Sequence, residues 1–316
     1  MTDQHNPLFN FFFRWRPLHW RSIWVYELIS FTLMYASMVL LAHSGQPVTW
    51  GFLKILVFSI ISLFSGYFAA LIWNDINDRD IDSVVHPDRP LPGKRMSAAR
   101  FFAIALVFSA STFLFAYLVD FWCFLLVGFT ALFVAFHNRY FKKGMRLPAY
   151  SEIFTPLQWC IVPVFGYLAM HNYVIVPVLM VVLFTYFADS SHDIAEGIHD
   201  VEGDSQFGVR TYATSFGEST AAKVSFAFLT LSGVFGIAVY IVTPLSLIYL
   251  IGFLLFWVYT VYRYSRLLKT EGEERRKLGP QIGKNGFDFL LFVYDLIFLD
   301  LLIQILVPNL SWLRII

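Results

Sequence analysis

Apolar residues run along this chain in long unbroken stretches rather than in alternation. Nine stretches approach the length a helix needs to cross a bilayer, about 20 residues. They fall at 22–43, 50–73, 98–119, 121–137, 149–170, 172–189, 221–243, 245–262 and 287–307. The fourth is short, and the sixth and eighth are marginal. Continuous runs predict helices, because the strands of a membrane barrel alternate apolar and polar positions. The first 20 residues are aromatic and basic and lack the short apolar core of a secretory signal. The pattern therefore predicts an all-α integral membrane protein. Nine transmembrane helices surround a central cavity in a single membrane domain over 1–316.

Composition narrows the class. The chain is 58% hydrophobic and 14% charged, against about 45–50% and 25% in soluble domains. That leaves too few charges to cover a soluble surface. Disorder, a collagen-like fibre and a coiled coil are excluded on the same numbers. Two cysteines, Cys123 and Cys160, exclude a disulfide framework and a cysteine cluster for zinc. A net charge of +1 gives no reason to expect nucleic acid, and no protein partner is implied.

The placement of charge tests the span count. With nine crossings, 20 of the 23 Lys and Arg fall on one side. The positive-inside rule makes that side cytoplasmic, with the N-terminus inside. The expected location is the plasma membrane of a prokaryote. The long connections, after spans 2, 4, 6 and 8, all lie on the cytoplasmic side, where helical loops are expected to cap the cavity.

Two of these connections concentrate acid. Asn74, Asp78 and Asp82 are spaced i, i+4, i+8, with Asp75 three before Asp78, so they share a helical face. Asp189, Asp193, Glu196, Asp200 and Asp204 follow at steps of 4, 3, 4 and 4, although Gly197 and Gly203 argue against one unbroken helix. Segments 74–97 and 189–218 hold 12 of the 22 acidic residues. Mg²⁺ takes one or two carboxylates when phosphate oxygens and water complete its shell. Two such clusters at a membrane surface point to metal-bridged binding of a diphosphate. A solvated acidic loop is the plainer alternative, and the spacing does not fit a calcium-binding EF-hand loop.

These residues resemble the UbiA superfamily of intramembrane prenyltransferases. The first signature, N-D-x-x-D-x-x-x-D, is met by Asn74, Asp75, Asp78 and Asp82, and its Arg-Pro-Leu-Pro sequel by Arg89-Pro90-Leu91-Pro92. The second, D-x₆-D-x₃-D, is met by Asp193, Asp200 and Asp204, followed by Gly208 and Arg210-Thr211. The resemblance covers about 20–310. Three places depart from it. Gly93-Lys94 stands where Ser-Gly is usual. The basic pair Lys142-Lys143 is kept, but no Gln follows Pro148. Glu196-Gly197-Ile198-His199-Asp200 replaces the Lys-Asp-Ile-x-Asp of the digeranylgeranylglyceryl-phosphate and homogentisate branches, which fit less well.

The resemblance implies transfer of a prenyl group from a polyprenyl diphosphate to an aromatic or lipid acceptor within the bilayer. It implies two Mg²⁺ ions, one on Asp78 and Asp82 and one on Asp200 and Asp204. Asn74, Arg89, Lys142, Lys143 and Arg210 are the candidates for diphosphate contact, though each cation also reads as an ordinary inside-facing charge. Asp75 orients the site or completes a metal shell, and Asp193 serves as base or supports the metal shell. His192 and His199 flank the second cluster and read as surface histidines, with proton shuttling as the alternative. Glu27, Asp288, Asp295 and Asp300 lie inside spans, and for Asp288 and Asp295 packing or a hydrogen-bonded role is favoured over acceptor binding. Glu271–Lys277 reads as a solvated connection. Two other functions stay open: a terpene cyclase on the same scaffold, and an ion-coupled transporter, for which no inverted repeat is visible.

Overall fold

A computed structural model describes residues 24–43, 45–85, 91–94, 96–137, 140 and 146–307, and these are all helix and connection, without a strand. The helices are α1 (Trp24–His43), α2 (Trp50–Asn77), α3 (Arg79–Val85), α4 (Ala98–Val119), α5 (Phe121–Phe136), α6 (Tyr150–Phe154) and α7 (Ile161–Ala169). They continue with α8 (Ile175–Gly197), α9 (Val201–Phe207), α10 (Tyr212–Phe216), α11 (Glu218–Val242), α12 (Leu247–Tyr264) and α13 (Gly272–Leu306). Six of them, α2, α4, α8, α11, α12 and α13, are long and apolar enough to cross a membrane, and Leu28–His43 and α5 are shorter apolar helices. The protein is an integral, multi-pass membrane protein.

Local chemistry sets the helix ends. Thr49 Oγ1 accepts the Phe52 amide at the start of α2, and Ser246 Oγ accepts the Ile248 amide at the start of α12. Asp120 makes the reversal between α4 and α5 alone. Its amide closes α4 on the Ala116 carbonyl, and its Oδ1 accepts the Trp122 amide at 2.7 Å. The expected fifth span, 149–170, is broken. Pro156 lacks an amide, and the chain passes through a 3₁₀ turn (Thr155–Gln158) between α6 and α7.

Helices α8 and α13 form the centre. α8 packs on α11 and α13, and α13 on α1 and α12. Contact is closest where α13 presents glycine: a Cβ on Gly279 would lie 2.6 Å from the Ala195 carbonyl, and one on Gly283 2.3 Å from Glu196 Cγ. Small residues of this kind let membrane helices approach backbone to backbone. α2 is tied to α4 by polar contacts, Ser62 Oγ to the Thr112 carbonyl at 2.9 Å and Trp73 Nε1 to Ser109 Oγ at 3.0 Å. The outward faces of α4 and α5 leave Val107, Phe129 and Leu132 exposed, as lipid-facing positions should be.

One expectation is corrected, and the doubt that Gly197 raised about a continuous acidic helix is answered. Glu271–Lys277 is not a loop, because α13 begins at Gly272 and runs for 35 residues, about 52 Å at helical rise. Its charged first turns support themselves through the Glu273–Lys277 pair. The acidic stretch from Asp189 to Asp204 breaks after Gly197 and resumes as α9. Three intramembrane acids hold the fold, and for Asp288 and Asp295 this is the favoured role. Asp300 Oδ2 accepts the amides of Ser246 and Tyr249, and its Oδ1 accepts Gln304. Asp295 accepts Ser30 Oγ at 2.7 Å, and Asp288 pairs with Lys284 at 2.8 Å.

Candidate active site

The first acidic segment leaves the membrane at the end of α2. Asp78 caps that helix, its amide bonding the Asn74 carbonyl at 2.8 Å, and the Asp82 amide bonds the Asp78 carbonyl at 2.8 Å. The helical path thus continues almost unbroken, and Asp75, Asp78 and Asp82 are all buried, while Asn74 lies half-buried on a cavity wall. Arg79 and Asp80 turn out to solvent.

The second segment begins deeper. Asp189 is 1% exposed, and among the described residues nothing hydrogen-bonds either carboxylate oxygen. His192 lies between two carboxylates, its Nε2 3.6 Å from Asp189 and its Nδ1 3.4 Å from Asp193. Its ring meets Phe287 edge-on at 4.9 Å. The expected surface histidine is therefore an interior one, enclosed because α13 approaches through glycine. His199 is exposed, as expected, with Nδ1 on the Arg276 carbonyl. Past the break, the Asp204 amide bonds the Asp200 carbonyl at 2.8 Å, one helical turn apart as in the first segment.

Two clamps hold this second segment. On one side Arg276 of α13 reaches Glu202 and Glu218. On the other, the 146–152 strand of chain is stitched to 210–215. Arg210 Nη1 donates to the Arg146 carbonyl (2.7 Å), the Ser151 amide to the Arg210 carbonyl (3.2 Å), and the Ala149 amide to Ser215 Oγ (3.0 Å). The Tyr212 amide donates to Glu152 in α6.

A cavity of about 740 Å³ opens between α2, α4, α5 and the α6–α7 segment. Beside it four rings meet, three from helices α1, α2 and α13 and one from the turn before α7. Phe31 stacks parallel on Trp159 at 5.5 Å and lies 4.7 Å from Tyr67, and Phe287 lies 6.0 Å from Trp159. Asn74 and Asn77 stand on the cavity wall near the rim.

The UbiA prenyltransferase family profile matches residues 29–280. The chain belongs to the UbiA prenyltransferase family. It is 29% identical to the digeranylgeranylglyceryl phosphate synthase of Sulfolobus acidocaldarius over 67% of this chain and 73% of that one. Its fold matches the apo structure of a UbiA homolog from Aeropyrum pernix, with a TM-score of 0.68 and 20% identity over 88% of this chain and 98% of the other. It also matches a UbiA homolog from Archaeoglobus fulgidus bound to GPP and Mg²⁺, with a TM-score of 0.58 and 16% identity over 84% and 96% of the two chains. The Sulfolobus relative belongs to a branch whose signature this chain departs from at Glu196 and Gly197.

Within this UbiA-family fold, the carboxylates come as pairs one turn apart, not as a cage. Among the described residues no group of three His, Cys, Asp or Glu side chains is arranged to hold a metal ion. The donor set still suits Mg²⁺, which needs only one or two carboxylates beside phosphate oxygens and water. Arg89, Lys142 and Lys143 lie outside the described residues. Sequence reasoning missed Lys284, whose charge acts on Glu196 from α13, and the cavity residues Gln158 and Trp159. The signals were present: Lys284 and Asp288 are four apart, and Ser151, Thr155 and Gln158 follow at steps of 4 and 3.

Proposed function

We propose that this chain transfers a prenyl group from a polyprenyl diphosphate to an aromatic or lipid acceptor inside the bilayer. The reading is supported chiefly by the placement of paired carboxylates, Asp78 with Asp82 and Asp200 with Asp204, each pair one helical turn apart. Nine crossings in a single domain, with the N-terminus and this rim on the cytoplasmic side, complete the proposal.

Asp78 and Asp82 hold one Mg²⁺, and Asp200 and Asp204 another. Bound there, Mg²⁺ neutralises charge on the departing diphosphate. Asn74 donates its amide to a phosphate oxygen, and Arg89, Lys142, Lys143 and Arg210 supply cationic donors. Arg210 already spends one guanidinium nitrogen on the Arg146 carbonyl, so it contacts phosphate through the others. Asp75 orients the first pair. The C1–O bond of the diphosphate breaks with its electron pair leaving on oxygen, and the acceptor forms its new bond to C1. The acceptor's proton passes to Asp193, whose Oδ2 is buried without a hydrogen bond. The ring cluster of Phe31, Tyr67, Trp159 and Phe287 keeps water from the allylic cation.

The test is product analysis by mass spectrometry. Purified protein is offered prenyl diphosphates with Mg²⁺, with and without quinols, aromatic acids and glycerol-phosphate lipids. A prenylated acceptor is expected. A cyclic hydrocarbon or alcohol from the diphosphate alone would replace transfer with cyclisation.

A further inference from the structure

The 740 Å³ cavity has two kinds of wall. Leu63, Val127 and Val162, on three different helices, give it much apolar wall, interrupted by Ser62, Thr112 and Thr130. Near the rim the α6–α7 segment supplies Ser151, Thr155 and Gln158, all lining the cavity and all half-buried. Their spacing of 4 and 3 places them on one face of a helical segment. The Thr155 hydroxyl donates to the Ser151 carbonyl at 2.7 Å, which leaves its oxygen as an acceptor. Among the described residues nothing hydrogen-bonds the Gln158 side-chain amide.

The turn that presents Gln158 is fixed. The Trp159 amide bonds the Pro156 carbonyl and the Val162 amide bonds the Trp159 carbonyl, both at 3.1 Å. The Trp159 ring lies parallel on Phe31. The backbone that carries Gln158 is therefore fixed at the cavity wall.

A hydrocarbon tail against this wall would leave the amide without a partner in an apolar surrounding, which is unfavourable. A group that both donates and accepts satisfies it, because a primary amide offers both functions. A hydroxyl is the smallest such group. We propose that this end of the cavity is the acceptor's head site, that Gln158 and Thr155 recognise a hydroxyl on that head, and that the apolar wall of Leu63, Val127 and Val162 takes the acceptor's body. The acceptor is then a hydroxyl-headed amphiphile. This inference rests on the prenyl-transfer reading above. A quinol and an alcohol-headed lipid share the required chemistry, and the experiment separates them.

The full chain in detergent, with geranyl diphosphate and Mg²⁺, is offered a short-chain quinol, a monoalkyl glycerol and the O-methyl ether of each. Diphosphate release without acceptor is measured in parallel. The wild type should use one hydroxyl amphiphile and not its ether. Gln158→Leu should raise KM for that acceptor about tenfold, with KM for geranyl diphosphate and acceptor-free release changed by less than about twofold. Thr155→Val should act in the same direction and more weakly, and Gln158→Asn should recover part of the loss. If Gln158→Leu does not fold, the other two variants carry the same comparison. A rise in KM for geranyl diphosphate, or a changed prenyl-length preference with acceptor KM unmoved, would give this wall to the prenyl chain and overturn the inference. Equal use of ether and hydroxyl would also overturn it. Absence of diphosphate release in the wild type would mark failure of the prenyl-transfer reading itself, and the inference would fall with it.

Discussion

Asp189 and Asp300 are both fully buried, and their surroundings treat them in opposite ways. Asp300, near the end of α13, accepts two backbone amides at the start of α12 and the side chain of Gln304. Asp189, on α8 below the acidic rim, accepts no hydrogen bond among the described residues, and the His192 ring stands 3.6 Å from it. Burying a carboxylate is costly unless its lone pairs are occupied. The Asp300 carboxylate completes the fold because it satisfies amides that would otherwise be orphaned. The Asp189 carboxylate does nothing of the kind, and it stands one turn below Asp193. The contrast separates acids that hold helices together from acids kept in reserve beside the reacting rim.

The comparison can be broken first at the rim. Asp78→Ala or Asp200→Ala should lower Mg²⁺-dependent diphosphate release by at least about 10³-fold, while the thermal midpoint in detergent stays close to wild type. Full activity in either variant would sink the two-metal reading. At the opposite pole, Asp300→Ala should destabilise the protein by about 3 kcal/mol, since it orphans buried donors. Thermal unfolding in detergent measures this, and activity per folded molecule should be unchanged. Gly283→Ala should cost about 2 kcal/mol through overpacking against Glu196 and the His192 carbonyl. It should also reduce activity, because those atoms belong to the second acidic segment. The smallest effect is the sharpest for the comparison. Asp189→Asn should change stability by less than about 0.5 kcal/mol or raise it, because it replaces a buried carboxyl group whose oxygens no protein group satisfies. A loss as large as that of Asp300→Ala would mean that Asp189 is structural after all.

Much of this was legible in the sequence, and the reasons for the rest are physical. Apolar runs located the long helices, and Asp120 between two runs marked a turn that proved to be one residue long. The spacing of Asn74, Asp78 and Asp82 placed them correctly on one path, because i+4 geometry survives the cap at Asp78. The start of α13 was missed because its first turns are polar all round and are supported by i, i+4 charge pairs and by Arg276 reaching Glu202 and Glu218. No apolar stripe announces such a helix. His192 was misread because its neighbours Ser190, Ser191 and Asp193 look like surface. Its enclosure comes from Gly283 and Gly286, some 90 positions away in the chain. Gln158 was passed over because an isolated amide in an apolar run has meaning only once a cavity is seen beside it.

The single long helix α13 is pinned at four heights: Arg276 to Glu202 and Glu218, Gly279 and Gly283 to α8, Asp295 to Ser30, and Asp300 to the start of α12. Each attachment uses a particular angle around the helix, so together they fix its rotational phase. Inserting or deleting one residue between Gly283 and Asp295 would turn one half by about 100° relative to the other. Either the glycines would leave α8 or the two aspartates would face the wrong neighbours. This stretch should accept many substitutions but no change of length, and gaps between related chains should fall outside it.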